Sequence, residues 1–114
     1  MENLFNYFDS LEEAITVADK DAIILYMNKK SIATFESDGG VELIGKSLYD
    51  CHNENSCQII RDILSTGKSN SYTIEKKGKK KFIHQTPWYS NNEIAGVIEF
   101  SIVIPFEMPH FKRD

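Results

Sequence analysis

Cys51, His52 and Cys57 fall within the stretch "CHNENSC", which holds both cysteines of the chain and one of its three histidines. Thiol and imidazole are the groups that ligate zinc, hold haem iron or attack an electrophilic carbon. A structural zinc needs four ligands, and this stretch supplies three at best with no fourth nearby in sequence. A haem needs only one axial imidazole, which His52 could provide. Cysteine catalysis would pair Cys51 or Cys57 with His52 as base. Adjacent residues of an extended segment point opposite ways, so Cys51 and His52 make a poor nucleophile–base pair, and no oxyanion hole is recognisable. The remaining reading is a helix start. Asn53 or Asn55 can cap its first N–H groups, Asn55 with Gln58 has capping-box spacing, and Glu54 suits the positive end of the dipole. A cysteine there could have a lowered pKa and be redox-active, whereas a buried free cysteine is more often plain packing. Capping comes before ligation, and ligation before catalysis.

These residues sit in a chain of 114 residues, enough for one domain that buries roughly two-thirds of its unfolded surface. A hydrophobic content of 41% and a charged content of 26% belong to an ordinary soluble globular domain. The net charge of −4 argues against a nucleic-acid partner. The one dense basic run, "KKGKKK" at 76–81, surrounds a glycine and reads as a charged hairpin tip. Two cysteines so close together are no disulfide framework. No apolar run approaches the ~20 residues of a membrane span, and the acidic N-terminus is unlike a secretory signal. A cytoplasmic protein with reduced thiols and no membrane partner is expected.

The elements around the stretch follow from periodicity. Leu4, Phe5 and Phe8 recur at helical spacing over residues 2–9, with Leu11 continuing the stripe. Ala14–Ala18 and Ala22–Met27 read as strands joined by a turn at Asp19-Lys20-Asp21. Lys29–Phe35 is a short helix, broken by "ESDGG". Ile59, Ile60, Ile63 and Leu64 make the strongest helical pattern, over 56–65, and Gly67 is its expected cap. Then come three strands: 71–76, 80–88 and 94–104, with turns at the glycine and at "YSNNE". Pro105 and Pro109 stop further pairing, leaving a tail at 105–114.

The pieces "AITVADKDAIILYMN", "ELIGKSLYD", "ILSTGK" and "IHQTPWYSNNEIAGVIEFS", in that order, resemble a PAS domain. The matching positions are Asn28 after the second strand, Gly45 after a short helix, Thr66-Gly67 after the long helix, Pro87 closing the fourth strand and Gly96 early in the fifth. "CHNENS" is similar to a bacterial and archaeal subgroup with a Cys-His pair before the long helix. The resemblance implies an α+β fold: a five-stranded antiparallel sheet in the order 2-1-5-4-3 with short helices across one face. It divides the chain into an N-terminal flanking helix (1–9), a PAS domain (10–104) and the tail. It implies no catalytic activity, but a sensory or interaction module that signals through dimer or partner contacts. Some relatives hold haem, flavin or a small organic ligand between helices and sheet.

By similarity to flavin-binding relatives, the cavity side carries Ile83, Gln85, Ile98 and Phe100, while Phe82, His84 and Val97 cover the outer face. Gln85 would be the one polar group able to orient a ligand there; its other reading is a glutamine bonded to a neighbouring helix or water. Haem-binding relatives carry their axial histidine at the position of Ser56, a turn beyond His52. Flavin photoreceptors carry their reactive cysteine at the position of Leu48. His52 thus departs from the haem pattern, and photoadduct chemistry is not expected, although non-covalent flavin stays open. The helix bearing Leu4, Phe5 and Phe8 is expected to close the sheet, to pair with a second copy, or both, giving a homodimer. The output would lie on a separate protein or on another part of a longer chain.

Overall fold

Asn28 ties the fold together. It follows strand β2 (Ile24–Met27), starts helix α2 (Lys29–Thr34) and has no exposed surface. Its side-chain oxygen accepts from the Ser31 N–H (3.0 Å), capping α2, and from the Ile15 N–H (2.9 Å) of strand β1 (Ala14–Asp19). Its amide donates to the carbonyls of Phe8 and Glu13, both at 2.8 Å, holding helix α1 (Leu4–Asp9) against the strands. Both donors and both lone pairs of the amide are therefore used. This is a computed structural model describing residues 4–114; residues 1–3 and the side chains of Leu4 and Cys51 lie outside the described set.

Strands β3 (Asn70–Lys76), β4 (Lys79–Ser90) and β5 (Glu93–Ile104) complete one antiparallel sheet in the order β2-β1-β5-β4-β3, the order expected from the resemblance. Two-residue turns join the last three. Lys77-Gly78 has φ of 53° and 77°, and Asn91-Asn92 has φ of 53° and 64°. Such left-handed pairs match the natural twist of a hairpin. The "KKGKKK" run is a hairpin tip. Ala22 (φ 64°) leaves the expected second strand for a turn, and Ile23 forms only an isolated bridge to Ser47.

Helix α3 (Glu54–Thr66) begins two residues before its apolar pattern because Asn53, not Asn55, caps it, accepting from the Ser56 N–H at 2.8 Å. Gly67, at φ 78°, ends it by donating to the Ile63 carbonyl. Ile60 and Ile63 bury themselves against Ala18, Ala22 and Val97. Single helical turns at Glu36–Asp38, Gly40–Leu43 and Leu48–Cys51 bridge α2 and α3 across the same face of the sheet. Leu43 closes a second apolar cluster with Ile24 and Met27.

Helix α1 lies on the opposite face. Phe5 stacks on Tyr26 with ring centroids 4.7 Å apart, and the Tyr26 hydroxyl donates to Asp9 at 3.0 Å. Burial, then the Asp9 hydrogen bond and its negative charge, push the phenol up to about 12. The folded state thus holds this proton more tightly than the unfolded chain, whose tyrosine ionises near pH 10. Its stabilising contribution is complete below pH 10 and is lost as pH rises from about 10 to 12. In Asp9→Asn, ultraviolet titration of tyrosinate should move the Tyr26 step down towards 10. An unmoved step would show that Asp9 does not hold the phenol.

One residue of β5 is left out of its ladder with β4. Ser90 pairs with Glu93 and Tyr89 with Ile94, but Trp88 pairs with Gly96, so Ala95 bulges. From there His84 faces Phe100, and Gln85 faces Glu99. A straight ladder from the same turn would set Gln85 against Ile98. A slip of one residue sends every later side chain to the other face.

Candidate functional site

The space between the sheet and the helices is a cavity of about 220 Å³. Its apolar wall comes from Ile24, Met27, Phe35, Leu43, Leu48 and Ile60, with Ile83 and Val97 on the floor. The alternation that places Ile83 there also places Gln85, Glu99, Thr16 and Ser101 on it, since cross-strand partners share a face. Ile74, Lys76 and Lys81 lie towards the β3–β4 hairpin end.

Of the residues named from sequence, the structure brings His52, Ile83 and Gln85 to the cavity wall. Ile98 and Phe100 are not there. They project from the other face, where the Phe100 ring stacks with His84 (6.5 Å) and His84 with Phe82 (5.9 Å). Val97, expected outside, is buried in the core. The Ala95 bulge is the physical reason for both corrections: it advances β5 by one residue against β4, exchanging its faces. Placement by similarity to flavin-binding relatives set Pro87 and Gly96 on one side, as a straight ladder would, whereas Pro87 pairs with Val97, so Val97, Glu99 and Ser101 were missed. A signal was present, because Glu99 is an acid in the middle of a β-branched strand and needs a polar neighbour.

That neighbour is Gln85. Its amide nitrogen donates to Glu99 at 2.8 Å, and its oxygen accepts from Asn70 at 3.0 Å. Glu99 is acceptor-only when ionised, so the Gln85 amide can face it in one orientation only. Thr16 and Ser31 join their hydroxyls at 2.6 Å beside this row. Tyr72, also on the wall, has its phenol raised by burial and then by the Glu99 charge. Lys81 is lowered, first by burial and then by Lys76, Lys30, Lys79 and Lys77 around it.

In "CHNENSC" the polar residues serve the helix start. His52 precedes the cap, and its Nδ1 lies 2.6 Å from the Leu48 carbonyl. A carbonyl can only accept, so Nδ1 carries the proton and Nε2 the lone pair of the neutral ring. Cys57 is buried, its thiol directed to the Tyr49 and His52 carbonyls at 3.5 Å. Among the described residues no three His, Cys, Asp or Glu side chains converge as a metal site.

The His52 tautomer has the chemistry of an axial ligand, since a backbone bond at one ring nitrogen commonly fixes the other for metal. The volume does not fit. Drug-sized ligands occupy pockets of roughly 300–1,000 Å³, and haem or flavin exceeds what a cavity of about 220 Å³ encloses.

With this geometry, the chain has the PAS fold. It is similar to the PAS domain of a protein from Colwellia psychrerythraea at 22% identity and a TM-score of 0.61, covering 87% of this chain and 92% of that one. It is similar to the Aer2 receptor of Vibrio cholerae, a dual PAS-heme oxygen sensor, at 18% identity and a TM-score of 0.62, covering 82% of this chain and 95% of the other. It also resembles VqmA of Vibrio cholerae, a dimeric LuxR-type receptor that binds DNA, at 20% identity and a TM-score of 0.67. That match covers 92% of this chain but only 52% of VqmA, so the chain spans about half the length of that relative. No protein-family model matches the sequence, and no curated protein does. Among the described residues, no helix is long and apolar enough to cross a membrane.

Proposed function

We propose that this chain is a non-enzymatic sensory module, a cytoplasmic PAS domain that admits a small organic ligand and reports it through dimer or partner contacts. The cavity of about 220 Å³, apolar with a few polar groups on one wall, carries this reading. The likeness to sensory PAS domains supports it as fold-level analogy. Ile83 and Gln85 line the ligand space. A homodimer forms through α1, where Phe5 and Phe8 keep 49% and 38% of their surface exposed beside Leu4. Two aromatic side chains left partly exposed on one short helix mark a contact surface.

The test is a thermal-shift and NMR screen of small ring compounds against the wild type and Ile83→Trp, which fills the cavity. Ligands should raise the wild-type melting temperature with the logarithm of their concentration above the dissociation constant and leave the filled variant unmoved. A set of hits that binds both proteins alike would remove the cavity from the function. Sedimentation of Phe5→Asp/Phe8→Asp should show a monomer where the wild type is a dimer. Haem through His52 is the second reading, favoured by its tautomer alone. A Soret band on haem addition, abolished in His52→Ala, would overturn the volume argument.

A further inference from the structure

Glu99 is a carboxylate on the wall of a mostly apolar cavity, and Gln85 is its only hydrogen-bond partner among the described residues. The ion pairs join Lys30 to Glu12, Arg61 to Glu54 and Lys112 to Asp114, so among the described residues no cation forms an ion pair with Glu99. An ionised carboxylate offers about four lone-pair sites, and the Gln85 bond uses one. Glu99 is half-buried on the cavity wall, so the remaining sites are open to a donor that enters the cavity. Gln85 cannot turn away, because Asn70 holds its oxygen. The nearest lysine on the same face of β4 is Lys81, four residues from Gln85 and roughly 13 Å along the strand at 3.3 Å per residue. Positive charge therefore stands at one end of the cavity and the Glu99 acceptor at the other.

We propose that the cavity selects a ring-sized, uncharged ligand by an N–H or O–H donor placed against the Glu99 carboxylate, with Gln85 as the positioning residue that holds the carboxylate still. The proposal rests on the ligand-binding reading above and names the chemistry of its ligand. A benzene molecule fills an apolar cavity of about 150 Å³. By that measure, the roughly 220 Å³ here takes one substituted ring or a small fused pair. Lys76 and Lys81 disfavour a cationic ligand at their end, while Glu99 disfavours an anion at its own.

The probes are indole, which has a donor, 1-methylindole, which is nearly the same shape without one, and benzoate. Dissociation constants come from two-dimensional NMR titration of the full chain, read at cavity residues. Indole should bind at least about tenfold more tightly than 1-methylindole, as expected for a donor on a charged acceptor. Benzoate should not compete. In Glu99→Leu the preference should vanish while 1-methylindole binds as well or better. In Glu99→Gln, which keeps the volume and an acceptor for Gln85 if the leucine variant does not fold, the preference should shrink severalfold. Equal binding of the two indoles to the wild type overturns donor selection and leaves the cavity reading intact. Tighter benzoate binding moves recognition to the lysine end and overturns it too. Binding of none of the three overturns both readings together.

Discussion

Asn28→Ala should destabilise the protein by about 4 kcal/mol, the largest effect of any single polar substitution here. The side chain is wholly buried and makes four hydrogen bonds. Its loss removes the α2 cap, worth about 1 kcal/mol. It also strands the Ile15 N–H and the Glu13 carbonyl, while the Phe8 carbonyl keeps the Leu11 N–H at 3.3 Å, and each unsatisfied buried group costs about 1–3 kcal/mol. Some relaxation and water entry bring the sum down to the stated figure. Against a whole stability of about 5–15 kcal/mol, the variant would be close to unfolding at physiological temperature. Asn28→Asp should be little better. It keeps both accepted bonds but sets a carboxylate against two carbonyl oxygens where the amide donated. Urea unfolding would measure both, and a loss under 1 kcal/mol for the alanine variant would show that Asn28 does not anchor the fold.

Gly96→Ala should cost about 2–3 kcal/mol, at the upper range for overpacking. A β-carbon on Gly96 would run into the Ala18 carbonyl and the Trp88 indole nitrogen. Trp88 lies across this position because its indole N–H donates to the Ala18 carbonyl at 2.9 Å, bracing β4 over β5 onto β1. A flexible side chain could swing aside, but the backbone of β1, held between β2 and β5, cannot. Adding Trp88→Ala to Gly96→Ala should therefore restore little, and the double-mutant cycle should show most of the penalty persisting. Full rescue would put the clash on the indole alone. Position 96 follows the Ala95 bulge, so the variant also reports on the register that turns Glu99 inward.

Much of this molecule was legible in one dimension. Alternating and helical periods placed the strands and the long helix, because one buried face repeats every 2 or 3.6 residues. Lys77-Gly78 and Asn91-Asn92 announced their hairpins through the few residues that tolerate positive φ. Asn53 and Gly67 bracket α3 as local hydrogen-bond chemistry requires. "CHNENSC" is mainly the entry to that helix, with His52 turned to the cavity wall.

The cavity was legible only in part. Ile83 and Gln85 sit on β4, whose alternation runs unbroken through them, and both reach the cavity. Ile98 and Phe100 sit beyond an inserted residue whose effect is not local. Ala95 has no unusual side chain and shows as a bulge only when β4 is laid beside it. Periodicity and the cap and turn residues determined the strands and the long helix, because each depends on neighbours within a few residues, and the order of the strands in the sheet followed from the resemblance to PAS domains. Which face of β5 meets the cavity depends on pairing between distant segments, and the bulge, the Trp88 brace and the Gln85–Glu99 bond decided it in three dimensions.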